Sequence, residues 1–186
     1  MGDLKIRDAI PGDALALLDI YRPFVTDTAV SFELEPPTLA EFEARIASAQ
    51  SKWAWLVAER DGRVIAWASL NRFNPRPAYD HVADLSIYVQ REWRGQGVGR
   101  RLLEALVARA SELGYHKIVL AAFPWNEAGM RAYARAGFRE VGIYREQGRL
   151  EQQGLGLAQH APPGRMRRLG AQAQVGQRGL REDRDG

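Results

Sequence analysis

The spacing of apolar and polar positions divides this chain into short extended runs and amphipathic helices. Leu4-Lys5-Ile6-Arg7 reads as a first strand. Gly12-Asp13 opens a helix with Ala14, Leu17, Leu18 and Tyr21 on one face, and Pro23 is expected to end or kink it. Ser31-Phe32-Glu33 reads as extended ahead of Pro36-Pro37. Thr38 and Glu41 have the spacing of a capping box for a second helix that carries Phe42, Ile46 and Ala49. Two strands, Trp53 to Glu59 and Arg63 to Asn71, meet at Asp61-Gly62, a strong hairpin-turn dipeptide. A loop rich in Arg, Asn and Pro follows from Arg72 to Asp80. His81 to Val89 carries few charges and reads as a central strand. A third helix runs from about Gly99 to Leu113 and stops at Gly114. Lys117 to Ala122 is a buried strand, a fourth helix runs from near Asn126 to Gly137, and Phe138 to Gln147 is the last strand.

From about Glu151 the pattern stops. Residues 151–186 are mostly Gln, Gly, Arg, Ala and Pro with single scattered apolar residues. Such a stretch buries too little to offset chain entropy and reads as a disordered or aberrant tail. Its bias looks like an out-of-frame translation of a GC-rich gene. The organised part is residues 1–150, one domain with room for a sizeable core.

Composition narrows the classes. No apolar run approaches the roughly 20 residues of a membrane-spanning helix. The segment Met1-Gly2-Asp3-Leu4-Lys5 lacks the apolar core of a signal peptide. The chain has no cysteine, which excludes disulfides, thiol catalysis and thiolate metal ligands and fits a reducing cytoplasm. A net charge of +3 is mild, so neither a nucleic-acid nor a membrane partner is called for. His81, His116 and His160 show no metal-ligand spacing, so no metal is expected.

The richest stretch chemically is Ile87-Tyr88-Val89-Gln90-Arg91-Glu92-Trp93-Arg94-Gly95-Gln96-Gly97-Val98-Gly99-Arg100. It reads as a buried strand, a loop, then a glycine-rich turn that opens a helix. That order gathers free backbone N–H groups where a phosphate can sit, and glycines let the main chain approach it. Arg94 and Arg100 add charge on either side. The G-x-G-x-G spacing is neither the dinucleotide fingerprint nor the P-loop.

This strand-turn-helix, followed by Asn126, Tyr133 and Gly137-Phe138, resembles the GNAT superfamily of N-acetyltransferases. Ser31-Phe32-Glu33, Trp55-Leu56-Val57-Ala58-Glu59, Ala78-Tyr79-Asp80 and Ser86-Ile87-Tyr88-Val89 are similar to the phosphinothricin acetyltransferase family. Gly114-Tyr115-His116-Lys117, Ala121-Ala122-Phe123-Pro124 and Phe138-Arg139-Glu140-Val141-Gly142 resemble its arsinothricin-resistance branch. The resemblance covers about Leu4 to Leu150. It implies a mixed α/β fold, with a mostly antiparallel central sheet, splayed central strands and flanking helices. It also implies a cytoplasmic homodimer that transfers acetyl from acetyl-CoA to the α-amine of a glutamate-like amino acid such as phosphinothricin, arsinothricin or methionine sulfoximine. Such transfer needs a donor that polarises the thioester carbonyl, an acceptor for the ammonium proton and a proton source for the leaving thiolate.

The same resemblance assigns roles residue by residue. Ile87, Tyr88 and Val89 would face the pantetheine and thioester. Arg94, Gly95, Gln96, Gly97, Val98, Gly99 and Arg100 would hold the pyrophosphate, and Asn126 the pantetheine arm. Tyr133 matches the superfamily's general acid, where phosphinothricin enzymes often have His. Asp84 stands where the family has its catalytic Glu. Its carboxylate is about one methylene shorter, roughly 1.5 Å further back. That leaves open whether it takes the proton directly, takes it through a water, or leaves that work to the water. Arg72 and Arg76 match the loop that pairs with the substrate's acidic side chain, with Arg76 favoured because Pro75 and Pro77 stiffen its setting. Phe32 and Tyr79 would wall the pocket. His81 reads as a packing residue. In the family a final strand follows the segment matching Gly148-Arg149-Leu150, but Glu151 onward matches none of it. Its loss would leave an exposed apolar edge. The alternatives are acetylation of another amine, a protein N-terminus or a polyamine, and acetyl-CoA binding without catalysis.

Overall fold

Hairpin and helix signals that act locally set most of the architecture. The computed structural model describes residues 2–28, 30–31, 33–49, 52–123, 126–149 and 170–179, with backbone alone for 144–149 and 170–179. The elements are β1 (Lys5–Asp8), α1 (Ala14–Thr26), α2 (Leu39–Ala49), β2 (Trp55–Arg60), β3 (Arg63–Arg72), β4 (Val82–Val89), α3 (Val98–Glu112), β5 (Lys117–Ala122), α4 (Glu127–Arg135), β6 (Arg139–Arg149) and β7 (Gly170–Gly179). At the β2–β3 turn Asp61 and Gly62 take φ of 51° and 74°, the paired positive torsions that a tight hairpin requires. Thr38 and Glu41 close their box: the Thr38 N–H donates to Glu41 Oε2 at 2.7 Å and the Glu41 N–H to Thr38 Oγ1 at 3.3 Å.

The strands form one seven-stranded sheet in the order β1-β2-β3-β4-β5-β7-β6. Among the described residues the β4–β5 pair alone is parallel, as expected of a mixed, mostly antiparallel sheet with splayed central strands. β4 pairs with β3 from Ala83 to Val89. Among the described residues it pairs with β5 at Val82, Ala83 and Asp84, and Leu85 to Val89 have no ladder partner on that side. β4 is the middle strand and its second half is open along one edge.

The two faces carry separate cores. Leu102, Leu103 and Leu106 of α3 pack with Leu56, Leu70, Leu85 and Ile118 of the sheet. On the other face Leu17, Leu18 and Tyr21 of α1 and Phe42 and Ile46 of α2 cover Trp55, Val57 and Trp67. Asp13 lies at the head of α1 and is bound by the Arg7 guanidinium at 2.7 and 2.9 Å. That pairing holds the Asp13 carboxyl below its ordinary range. No helix among the described residues is long and apolar enough to cross a membrane.

Two sequence expectations are corrected. Of the end or kink expected at Pro23, the end does not occur, and α1 continues to Thr26. Pro23 is on the exposed side of that helix, where water can satisfy the carbonyl one turn back that loses its donor. The tail is not without order throughout. Gly170–Gly179 forms β7, which pairs antiparallel with β5 on one side and β6 on the other. The family's final strand, expected to be missing, therefore has a counterpart. Glycine and glutamine enter this strand because two neighbours supply its main-chain hydrogen bonds, a context that overrides weak β-propensity. The rest of the tail lies outside the described residues.

Candidate active site

The open half of β4 fixes the site. The Gln90 N–H donates to Ile65 O at 3.0 Å, so by strand alternation Tyr88, Ser86 and Asp84 turn their amides toward β3. Ile87 and Val89 therefore turn theirs toward the unpaired edge. The Val89 carbonyl on that edge accepts from Arg94 Nε at 3.2 Å. A single strand thus offers main-chain groups along one edge and Asp84, Ser86 and Tyr88 side chains on the α1/α2 face.

Beyond β4 the chain makes a short 3-10 turn, Arg91–Trp93, and then the glycine turn. Gly95 and Gly97 have φ of 75° and 77°, which side-chain-bearing residues rarely adopt. Gly97 caps α3 and no side chain caps that helix. The first helical bond comes from the Arg101 N–H to Gly97 O at 3.1 Å. The N–H groups of Val98, Gly99 and Arg100 precede it and have no carbonyl to bind within the helix. Uncapped donors beside an open strand edge fit a pyrophosphate followed by a pantetheine arm. Val98 is buried and anchors the turn to the core. Gln96 Nε2 donates to Glu92 O at 2.8 Å. Arg100 meets Glu104 at 3.1 Å, one helical turn on. The Arg94 guanidinium lies over the Phe24 ring at 5.0 Å. Asn126 accepts the Gly129 N–H at 3.2 Å and so caps α4.

A cavity of about 440 Å³ opens on the α1/α2 face, a size suited to a small amino acid. Trp55 and Trp67, stacked with centroids 4.8 Å apart, belong to its wall with Phe42 and Trp53. Ser69, Asn71, Arg72, Asp84, Ser86 and Tyr88 line it from the sheet, and Tyr21, Glu33, Arg45 and Ser48 from the helical side. Asn71 and Asp84 are cross-strand partners, which places Arg72 one residue from Asp84's neighbour. No hydrogen bond or ion pair engages the Asp84 carboxylate among the described residues, and burial pushes its pKa up to about 6. Arg72 meets Asp80 at 3.3 Å with both side chains half exposed, a pairing that solvent weakens.

Tyr133 lies in the other layer and is not among the residues that line the cavity. It is half-buried against the α3-side core, with its ring 6.0 Å from Phe138. Burial pushes its hydroxyl up to about 12, so it stays protonated at neutral pH. Burial also raises Tyr88 well above the phenol range, with smaller contributions from Tyr21 and Tyr133.

Not every expected residue reaches the cavity. Arg76 is exposed, its N–H on Asn74 Oδ1 at 3.0 Å, and it is not among the lining residues. Tyr79 is 39% exposed and packs edge-on against Phe73 at 5.8 Å. Phe32 lies outside the described residues. His81 is exposed, with its ring 5.9 Å from His116. Among the described residues no group of three or more His, Asp or Glu is placed to hold a metal ion. Sequence reasoning missed Glu33, Arg45, Ser69 and Asn71. Arg45 had a signal, since it lies three residues from Phe42 on the same face of α2.

Comparison with known proteins follows the same lines. The family model described as Acetyltransferase (GNAT) family matches residues 15–138. The chain is 34% identical over 140 residues to an L-methionine sulfoximine/L-methionine sulfone acetyltransferase of Pseudomonas paraeruginosa, covering 74% of this chain and 81% of that one. It is 33% identical over 145 residues to a phosphinothricin N-acetyltransferase of Alcaligenes faecalis, covering 77% and 74%. The crystal structure of a GNAT superfamily phosphinothricin acetyltransferase from Sinorhizobium meliloti, in complex with AcCoA, superposes with a TM-score of 0.81. It is 27% identical and covers 95% of this chain and 88% of that one.

Proposed function

Because the chain belongs to the acetyltransferase (GNAT) family, we propose that it acetylates the α-amine of a glutamate-like amino acid, such as phosphinothricin, arsinothricin or methionine sulfoximine, from acetyl-CoA. The observation that carries this reading is the pairing of an unpartnered carboxylate, Asp84, with Arg72 in one amino-acid-sized cavity. That cavity lies where β4 leaves β5. The catalytic unit we infer is residues 1–150 together with β7.

Acetyl-CoA, when bound, supplies a thioester whose carbonyl carbon accepts the amine while the carbon–sulfur bond breaks. The chain does the rest. The first turn of α3 receives the pyrophosphate on the N–H groups of Val98, Gly99 and Arg100. The open edge at Ile87 and Val89 holds the arm and orients the thioester. Arg72 takes an acid group of the substrate as a planar fork. Asp84 takes a proton from the ammonium, and its raised pKa brings it closer to the proton it must accept. Tyr133 keeps its proton at neutral pH and gives it to the leaving thiolate.

The sequence without cysteine supports a reducing cytoplasm, and we infer a homodimer with a role in resistance to toxic amino acids. A free-thiol release assay with acetyl-CoA tests the reading. The panel is phosphinothricin, arsinothricin, methionine sulfoximine, glutamate, a polyamine and a peptide amine. Release is expected with the glutamate analogues. Preference for the polyamine or the peptide over all of them would refute the substrate class.

A further inference from the structure

Two charged side chains on the helical side of the cavity have no part in the proposed chemistry. Arg45 of α2 forks onto Glu33, with Nη1 to Oε1 at 2.6 Å and Nη2 to Oε2 at 3.2 Å. The Tyr21 hydroxyl donates to the same Oε1 at 3.1 Å. Tyr21 is itself held, by Ser31 Oγ at 2.6 Å and by the Tyr88 ring, edge-on with centroids 4.9 Å apart. The Arg45 fork and the Tyr21 hydroxyl thus make a cradle for an anionic group, and Glu33 fills it. Both Glu33 and Arg45 line the cavity, facing the sheet wall that carries Arg72 and Asp84.

We propose that the Glu33–Arg45 pair filters substrates by the charge of their distal group, favouring an uncharged sulfone or sulfoximine over a phosphinate, arsinate or carboxylate. This rests on the reading above and adds that the acid group taken by Arg72 is the α-carboxylate, beside the amine at Asp84. The distal group then reaches toward the helical wall. An anion arriving there must share Arg45 with the Glu33 carboxylate or displace it, and like charges in a half-buried site repel. A neutral sulfone oxygen meets no such rival. Arginine has five N–H donors and the fork on Glu33 uses two, so among the described residues the remainder have no acceptor and can meet a neutral oxygen.

The test compares kcat/KM for phosphinothricin and methionine sulfone at saturating acetyl-CoA, in the wild type, Glu33→Gln and Arg45→Gln, with a thermal melt of each. The wild type should prefer methionine sulfone. Glu33→Gln should raise the phosphinothricin-to-sulfone ratio about tenfold, the order expected when one repulsive charge leaves the site. Arg45→Gln should lower that ratio, because Glu33 then stands uncompensated. If both amino acids are acetylated but the ratio stays within about twofold in both variants, or the wild type prefers phosphinothricin, the filter is wrong and the substrate reading stands. If Glu33→Gln lowers the melting temperature and both activities together, the pair is only structural and the filter is again wrong. Release with a polyamine and with neither amino acid overturns the substrate reading and the filter with it.

Discussion

Two aspartates in this chain are shifted in opposite directions, and the contrast separates scaffold from chemistry. Asp13 is held by Arg7, so its pKa is lowered. Its contribution to stability is present above the ordinary carboxylate range and is lost as pH falls through the depressed value. Asp84 has burial and no partner, and its pKa rises from 3.8 to about 6. The folded state then binds a proton more tightly than the unfolded chain, so Asp84 lowers stability as pH rises from about 4 to 6 and the penalty persists above. Asp84→Asn should stabilise the fold at pH 8, by roughly 1–3 kcal/mol, and match the wild type below pH 4. It should also lower turnover by about 10²–10⁴ and abolish the rise of kcat/KM through about pH 6. A variant that keeps full turnover and the same pH profile would make the carboxylate structural. Asp84 was legible in the sequence through the resemblance, which puts it at the family's catalytic Glu, and the cost of an acid in a buried strand added a physical reason. The Glu33–Arg45 pairing was not, although Arg45 shares a face of α2 with Phe42, because the two residues lie on separate segments and meet only in the folded chain. Arg76 looked better placed than Arg72 on loop stiffness alone, yet Arg72 is the one that ends β3 beside the cavity.

At the scale of elements the signals that worked were local. The Asp61-Gly62 turn, the Thr38–Glu41 box, and Gly114 and Gly137 at helix ends with φ of 81° and 84° each act within a few residues. The seating of α3 is less local. Fully burying Leu102, Leu103 and Leu106 stabilises by about 1.5–3 kcal/mol each. The exposed Arg100–Glu104 pair adds only about 0.2–0.5 kcal/mol. The core therefore aims the N-terminus of α3, and its charges do not. The glycines of the turn have different reasons. A Cβ on Gly97 would meet nothing within 4 Å, so its requirement is the positive φ. A Cβ on Gly99 would meet Val89 Cγ2 at 3.5 Å, an ordinary contact at an ordinary torsion. Gly97→Ala should thus strain the turn by about 1–2 kcal/mol and weaken acetyl-CoA binding roughly 5- to 30-fold. Gly99→Ala should change it less than about threefold. Calorimetric titration of both variants decides it, and equal effects would mean the turn does not act through backbone conformation.

At the scale of the whole molecule the sheet depends on a strand that its sequence hides. Ala171-Gln172-Ala173-Gln174-Val175 alternates apolar with polar, but its apolar side chains are small, and the segment carries three glycines and no run of β-branched residues, so the pattern announces β7 only faintly. Its place comes from pairing, with Lys117–Ala122 on one side and Arg139–Arg149 on the other. The consequence is topological. β6 is one of the two edge strands, and among the described residues β7 is its ladder partner, in the order β5-β7-β6. Removing β7 leaves β6 with no strand to bind and strips β5 of one of its two neighbours. β5 is also the strand from which β4 diverges, so the loss reaches the open edge that is to hold the thioester. A chain ending at Leu150 should therefore lose cooperative melting in circular dichroism and elute as aggregate, since unpaired strand edges recruit other chains. Thiol release should fall with it. If the shortened chain melts like the full chain and keeps its thiol release, the tail is dispensable and β1 to β6 with α1 to α4 suffice for both fold and catalysis.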